Sequence, residues 1–347
     1  MNIKNPRVRK ILILVRSRPV ATLLAVMLAL LFSAAPGCDP KGQPVRMERI
    51  SLAVSPWPAS AAVYIAQEKG YFREEGLEVA LHNYLSGHLG LNAVLAGKED
   101  MATAGESPIA RAALEGKPIS VVATICEIDQ GILVIARKDR GISSLSDLKG
   151  KRIGLAVTSA ADYFLHVFLT TNGMNPREVR IIDMAPDKAV ASLLKGEVDA
   201  VSTWSPHTFV LREKLGDNAL VLGDPGLYTL MWNLVATADY IKNNPGRVRK
   251  LLRAIVRANR FIADSPGEAR VASRQYIGTE SPFLEKEWGD YRFLAILDQS
   301  LILNMEDQAR WMIKREGMRH RMPYFLDFIY TEGLNTVKPD AVRIAGK

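Results

Sequence analysis

The sequence is poor in the residues from which metal centres and disulfide frameworks are built. Its 347 residues include two cysteines, Cys38 and Cys126, and five histidines. Two cysteines cannot form the set of bridges that holds small secreted domains together, and a chain of this length can bury a large core without them. The histidines show no HExxH motif or other zinc spacing. We therefore expect neither a bound metal nor a cofactor.

The sequence also lacks the motifs of several common enzyme classes. It has no glycine-rich phosphate loop followed by lysine and no G-x-S-x-G nucleophile elbow. Cys126 lies in the apolar segment ISVVATICEI, so its expected role is that of a buried structural thiol. These absences favour a protein that is not an enzyme and leave catalysis as the less favoured alternative.

The positive charge of the chain is concentrated at its amino terminus. Of the net charge of +8, six units precede residue 38, where no acid occurs, and residues 38–347 are left with +2. The basic run at 247–260 is typical of the solvated face of an amphipathic helix. We therefore expect no nucleic-acid partner. The six basic residues are Lys4, Arg7, Arg9, Lys10, Arg16 and Arg18.

The amino terminus has the pattern of a targeting segment. The apolar run from Val20 to Ala35 is shorter than the roughly 20 residues of a membrane span, and small residues follow it. We predict a signal peptide over 1–37 and a polar tether over 38–47. The segment Ala35-Pro36-Gly37-Cys38 is similar to a bacterial lipobox, which predicts lipidation of Cys38. Ordinary signal cleavage and an uncleaved anchor are the alternatives.

Alternating strand-like and helix-like segments predict the fold class. The alternation begins near residue 48, restarts to give a second unit, and is followed by WNLVATADYI, which reads as a strand that returns to the first unit. We predict an α/β fold with a first lobe at 48–139 and 230–347, the latter with C-terminal helices. The second lobe is predicted at 140–229. Crossings near 139 and 230 would form the hinge.

A repeated pattern points to a cleft between these lobes. In both AVLAGKEDMATAGESP and SLLKGEVDAVSTWSP, a helix is followed by a strand with small or hydroxylated residues, then by Ser-Pro at a helix start. Ligands of open α/β sheets bind at the carboxyl ends of the strands, and helix amino termini attract anions. We predict ligand contacts from these loops and from other loops that precede helices, including the helix starts after SPWP and near Ser159. The candidates are Trp57, Ser86, Glu106, Ser107, Thr158, Ser159 and Trp204.

Each of these candidates has a structural alternative. Hydroxyl groups at helix starts can cap the helix instead of binding a ligand. Trp57 and Trp204 can line the cleft or simply pack between elements. Asp162 is expected to act in a variant of the capping box. Glu106 could bind a cationic ligand such as an amine or a pyrimidine, so the charge of the ligand stays open.

Several segments together resemble the solute-binding proteins of bacterial ABC importers, in the nitrate, sulfonate, taurine and thiamine-precursor group. The resemblance implies a periplasmic-binding-protein fold of the second type, with a hinged cleft, and delivery of the ligand to a membrane permease. Many relatives have glycine at the position of Val157. The segments that carry the resemblance are AVYIAQEKGYFREEGLEV, NAVLAGKEDMATAGESP, VTSAADYFL, KGEVDAVSTWSPH and DQARWM.

These observations predict a solute-binding lipoprotein of the cell envelope. It would close around a small polar ligand, namely a sulfonate, nitrate or a related compound, or else an amine or pyrimidine. Its partners would be an ABC permease with its ATPase, and the membrane through lipidated Cys38. The alternatives are an envelope sensor that signals through a partner and an enzyme on the same fold.

Overall fold

The computed structural model describes residues 47–278, 282–317 and 321–345. The predicted signal peptide at 1–37, the lipidation site Cys38 and all of the predicted tether except Met47 lie outside these residues. Within the described ranges, no helix is both long enough and apolar enough to cross a membrane.

Twelve strands of the described chain form two sheets. They are β1 Glu48–Val54, β2 Leu77–Asn83, β3 Met101–Gly105, β4 Ile119–Ile128, β5 Ile132–Arg137, β6 Arg152–Leu155, β7 Arg180–Asp183, β8 Ala200–Trp204, β9 Ala219–Leu222, β10 Leu230–Thr237, β11 Tyr291–Asp298 and β12 Val342–Arg343. The first sheet has the order β12-β11-β4-β10-β3-β1-β2, and the second has the order β7-β6-β8-β5-β9. The prediction of two α/β lobes is confirmed.

Helices cover both sheets. They are α1 Ala61–Glu68, α2 Tyr71–Glu74, α3 Gly87–Leu95, α4 Glu106–Leu114, α5 Ala160–Thr171, α6 Pro186–Lys195, α7 His207–Leu215, α8 Ala238–Asn243, α9 Pro245–Asp264, α10 Pro266–Ile277, α11 Pro282–Glu287, α12 Gln299–Glu316 and α13 Thr331–Val337.

The two sheets share one strand arrangement. In β2-β1-β3-β10-β4 and in β7-β6-β8-β5-β9, the fourth strand runs antiparallel to both of its neighbours. In each case this strand follows a crossing. The chain enters β5 from the first sheet, and it enters β10 from the second. The strands β3 and β8, which carry the repeated sequence pattern, occupy the same place in their sheets.

The pairing of β5 locates the first crossing. The predicted limit at residue 139 assigns this strand to the first lobe, but it pairs with β8 and β9 in the second sheet. The chain therefore leaves the first sheet between Ile128 and Ile132, and it returns between Leu222 and Leu230.

The carboxyl-terminal part differs from the expected helices. The segment Tyr291–Asp298 is a strand, β11, and it pairs antiparallel with β4 and extends the first sheet. The reason is tertiary, since the pairing partner lies more than 160 residues earlier in the chain and gives no local signal near β11.

The basic run at 247–260 lies in α9, as an amphipathic helix. Its apolar stripe is buried, while Lys250, Arg253 and Arg257 form ion pairs with Glu48, Glu75 and Glu74 of the first lobe. These three charges are therefore balanced within the lobe itself.

Candidate functional site

The site is built at the carboxyl ends of the strands, where α4, α5 and α7 begin. Two groups of contacts join the lobes there. The first turn of α5 meets α12, through Tyr163 and Trp311. The start of α7 meets α11, where Ser205 donates a hydrogen bond to Glu287.

Glu106 is a fully buried carboxyl group at the first position of α4. Its Oε1 accepts hydrogen bonds from the Tyr228 hydroxyl and from Gln308 Nε2 at 2.9 Å, and its Oε2 accepts from the Met231 N–H at 2.9 Å. Burial raises the pKa of Glu106 to about 7, although the N–H groups of Glu106 and Met231 and the Gln308 amide favour the charged form. Both oxygens are thus occupied by groups of the protein.

Ser107 lies beside Glu106 and also contacts α12. Its side chain is 2% exposed, and its hydroxyl donates to Gln308 Oε1. The structure therefore brings these two predicted site residues together, and both form a hydrogen bond with Gln308.

The start of α5 is capped by hydrogen bonds of its own residues. Ser159 is the N-cap, and its Oγ accepts from the Ala161 N–H at 3.2 Å and donates to the Ala156 carbonyl at 2.6 Å. Thr158 has a φ of +63°, in the left-handed region that non-glycine residues seldom adopt. Its N–H donates to Asp162 Oδ2 at 2.9 Å. This is a capping-box variant displaced by one residue.

Asp162 also forms an ion pair across the lobes. Its Oδ2 lies 2.9 Å from Arg315 Nη2 on α12, and its side chain is 2% exposed. Burial raises the pKa of Asp162, and the Thr158 N–H and the Arg315 charge oppose that rise. Asp162 thus has two structural functions, one within α5 and one between lobes.

A cluster of aromatic rings fills the space next to this ion pair. Tyr163 makes edge contacts with Trp311 and with Tyr228, at centroid distances of 5.4 Å and 5.7 Å. The Arg315 guanidinium lies 5.3 Å from the centre of the Trp311 ring. This cluster joins α5, α12 and the segment that returns to β10.

Trp57 lies in a second aromatic group, within the first lobe. Its ring contacts Trp232 at 5.1 Å and Tyr291 at 5.9 Å, and it is 7% exposed. Trp232 donates its indole N–H to Ser60 Oγ at 2.9 Å, so the polar group of the Trp232 ring is paired within the first lobe.

Ser86 and Trp204 stand apart from these groups. Ser86 is the N-cap of α3 and accepts from the Leu89 N–H at 3.3 Å. Trp204 is partly buried at the end of β8 and contacts the His207 ring at 6.4 Å. In the described structure, no hydrogen bond or ring contact joins either residue to Glu106, Thr158 or Trp57.

Four buried polar atoms of this region have no hydrogen-bond partner within the described structure. All four groups can donate a hydrogen bond, and the two indole N–H groups can do nothing else. Two belong to the loop after β1, one to β8 and one to α12. They are Ser55 Oγ, Trp57 Nε1, Thr203 Oγ1 and Trp311 Nε1.

The sequence reasoning missed the contribution of α12. Its residues Asn304, Gln308, Trp311 and Arg315 follow helical spacing, so they lie on one face, and that face contacts both lobes. The only signal in the sequence was the segment DQARWM, which carried part of the resemblance but no assigned function.

The described residues contain no group of three or more His, Cys, Asp or Glu side chains arranged to hold a metal ion. Cys126 is fully buried in β4. The groups described at the candidate site are hydrogen-bond donors, aromatic rings and the carboxyl groups Glu106 and Asp162.

Comparison with known proteins shows that this chain is similar to two kinds of protein. The chain is 26% identical over 222 residues to the taurine-binding periplasmic protein of Escherichia coli K12, which covers 62% of this chain and 68% of the relative. It is also 26% identical over 231 residues to the 4-amino-5-hydroxymethyl-2-methylpyrimidine phosphate synthase of Saccharomyces cerevisiae, with coverages of 62% and 66%.

The fold is shared with a solved binding protein, and a family model matches most of both lobes. The periplasmic aliphatic sulphonate binding protein SsuA of E. coli superposes with a TM-score of 0.71, at 16% identity, over 86% of this chain and 94% of that one. This confirms the predicted periplasmic-binding-protein fold. The NMT1/THI5-like family model matches residues 57–269. The chain therefore belongs to the NMT1/THI5-like family.

Proposed function

We propose that the chain is an extracytoplasmic solute-binding protein that closes its two lobes around one small polar ligand and delivers it to an ABC permease and its ATPase. The observations that carry the proposal are that two sheets of matching strand arrangement each have helices beginning at the ends of their strands, and that both lobes contain buried donors without a partner in the described structure. The taurine-binding relative supports this class of function.

We further propose that the ligand is an oxyanion of the sulfonate or nitrate type. Buried donors without a partner are costly, and a ligand rich in acceptor oxygens would satisfy them. Glu106 would be the group that binds an amine or pyrimidine, but both of its oxygens already accept hydrogen bonds from the protein. That occupation favours the oxyanion over the cationic ligand.

A catalytic function is the second candidate, because one relative is a synthase. Against it, Glu106, the carboxyl group whose pKa lies near 7, is fully buried and hydrogen-bonded at both oxygens. We therefore propose binding without turnover.

An uptake assay separates an importer subunit from an envelope sensor. If the protein is an importer subunit, cells that lack it should lose ligand uptake. If it is a sensor, their ligand uptake should be unchanged.

We also propose that the protein works at the cell envelope and is held there by lipidated Cys38. The lipobox-like segment before Cys38 supports the anchor, and the periplasmic location of the taurine-binding relative supports the compartment.

A thermal-shift screen tests the ligand. Taurine, nitrate, ethanolamine and 4-amino-5-hydroxymethyl-2-methylpyrimidine represent the proposed classes. A ligand at 100 times its Kd should add about 2.7 kcal/mol to the free energy of unfolding. We expect taurine or nitrate to raise the melting temperature. If none of the four compounds raises it, that result would contradict the proposed function.

The variant Trp57→Phe sharpens this test. It keeps an aromatic ring in contact with Trp232 but removes the unpartnered indole N–H. We expect about a fivefold to tenfold loss of ligand affinity, as for one hydrogen bond, and a lower melting temperature without ligand, because the smaller ring leaves a cavity at a buried position. The matched variant Trp232→Phe leaves a similar cavity but removes an N–H that is bonded to Ser60, so it should lower the melting temperature and keep the ligand affinity.

A further inference from the structure

The face of α12 that holds Glu106 continues toward both crossings of the chain. Gln308 donates one N–H to Glu106 Oε1 at 2.9 Å and the other to Asn304 Oδ1 at 2.7 Å, while its carbonyl accepts from Ser107. While the Glu106 carboxylate is charged it can only accept, so in that form the Nε2 group of Gln308 faces it.

Asn304 extends this chain of hydrogen bonds to the second crossing. Its Oδ1 accepts from Gln308, so its Nδ2 is the donor that reaches the Thr229 carbonyl at 3.1 Å. Tyr228, the residue before Thr229, is bound in parallel, since its hydroxyl donates to Glu106. The return segment is thus attached to the first lobe at two consecutive residues.

Thr229 in turn reaches the first crossing. Its hydroxyl donates to Asp129 Oδ1 at 2.8 Å, and Asp129 lies one residue beyond the end of β4. Asp129 is also 3.7 Å from Arg292 of β11, which belongs to the first sheet. One network therefore connects the candidate ligand site to both segments that join the lobes.

We infer that this network, the crossing clamp (Glu106, Gln308, Asn304, Thr229 and Asp129), fixes both crossings to the first lobe. The lobes then pivot beyond the clamp, at 130–131 and 223–227. The second of these segments contains Gly223 and Gly226, and Gly226 has a φ of +81°. Gln308 and Asn304 are positioning residues in this arrangement. The inference rests on the proposed function only in that the lobes move.

The variant Asn304→Asp tests the clamp. It keeps the acceptor for Gln308 but removes the donor to the Thr229 carbonyl and places a carboxylate oxygen there. Spin labels on Lys98→Cys and Lys214→Cys, both exposed and in different lobes, report the distance between the lobes by double electron-electron resonance. The background is the full chain with Cys38→Ser, and Cys126 is buried.

Without any ligand, we expect the variant to show a broader distance distribution, with the short-distance population reduced about fivefold. Thr229→Val, which removes only the hydroxyl that reaches Asp129, should change the distribution in the same direction. Asn335→Asp adds the same charge at an exposed position of α13 and should leave the distribution unchanged.

The inference is overturned if Asn304→Asp and Thr229→Val both give the same distance distribution as the parent chain while their melting temperatures are unchanged. Should Asn304→Asp fail to fold, Thr229→Val decides alone. Because no ligand is added, a shift in these variants supports the clamp even where the ligand screen is negative. If the distance distributions of both variants are unchanged, the crossing clamp is ruled out even where a ligand binds.

Discussion

Among the single residues, Glu106 combines full burial with a favourable position. As the first residue of α4 it lies at the positive end of the helix dipole, and three donors face its oxygens. Burial nevertheless dominates and raises its pKa to about 7, against about 4.5 in the unfolded chain. The folded protein therefore binds a proton at Glu106 more tightly than the unfolded chain does.

This difference predicts a pH-dependent stability. A carboxyl group with a raised folded-state pKa contributes stability that is fully present below about pH 4.5 and is lost as the pH rises through about 7. We expect Glu106→Gln to remove a decrease on the order of 2–3 kcal/mol in the free energy of unfolding between pH 5 and pH 8. Urea denaturation at both pH values measures it.

The exposed Glu115 ends the same helix and provides the matched control. Glu115→Gln should leave the pH dependence as in the wild type. If Glu106→Gln shows the same slope as the wild type, burial of the Glu106 charge is not the dominant effect.

The start of α5 shows what single residues reveal in a sequence. Ser159 was recognisable as a helix cap, because its hydroxyl precedes a run of helix-forming residues, and Asp162 had the spacing of a first-turn acid. The left-handed backbone of Thr158 was not recognisable, since threonine seldom adopts it. Arg315 lies 153 residues beyond Asp162, and no local pattern links them.

At the scale of elements, α12 determines how the lobes meet. The sequence predicts helices in the C-terminal part, but helical periodicity gives no information on which elements the polar face of α12 contacts. The structure shows that Gln308 contacts Glu106 of the first lobe, while Trp311 and Arg315 contact α5 of the second lobe. For the same reason β11 was missed, because its partner β4 is remote in sequence.

The ion pair between Asp162 and Arg315 should be measurable as a coupling between α5 and α12. Asp162→Asn keeps an acceptor for the Thr158 N–H, and Arg315→Met keeps the aliphatic stem beside Trp311. In a double-mutant cycle on the free energy of unfolding, we expect a coupling of about 1–2 kcal/mol, because the carboxylate is buried.

Arg310→Met is the control on the same helix, since Arg310 pairs with the exposed Asp307. Combined with Asp162→Asn, it should give a coupling below about 0.5 kcal/mol. A coupling for Arg315 as small as that for Arg310 would show that the contact between lobes depends on ring packing alone.

At the scale of the whole molecule, the strand and helix alternation was enough to predict two α/β lobes, because each lobe repeats the same local order of elements. The exchange of β5 and β10 between the sheets sets the positions of the crossings, and it depends on pairing rather than on composition. This is why the predicted crossing near 139 and the strand pairing of β5 differ.

The proposed lipid anchor concerns Cys38, which precedes the lobes. If Cys38 is lipidated, growth with radioactive palmitate should label the wild type and leave Cys38→Ala unlabelled. The variant should also be lost from the membrane fraction, because the acyl chains provide the anchor. Equal labelling of the two proteins would exclude lipidation at Cys38.

The exchanged strands also set the order in which the lobes can be completed during synthesis. Once residue 229 has been made, every strand of the second sheet is present, from β5 to β9, whereas β3 and β4 still lack β10 between them. The edges of these two strands remain unpaired until Leu230–Thr237 arrives. The first lobe thus begins earlier along the chain but can be finished only after the second.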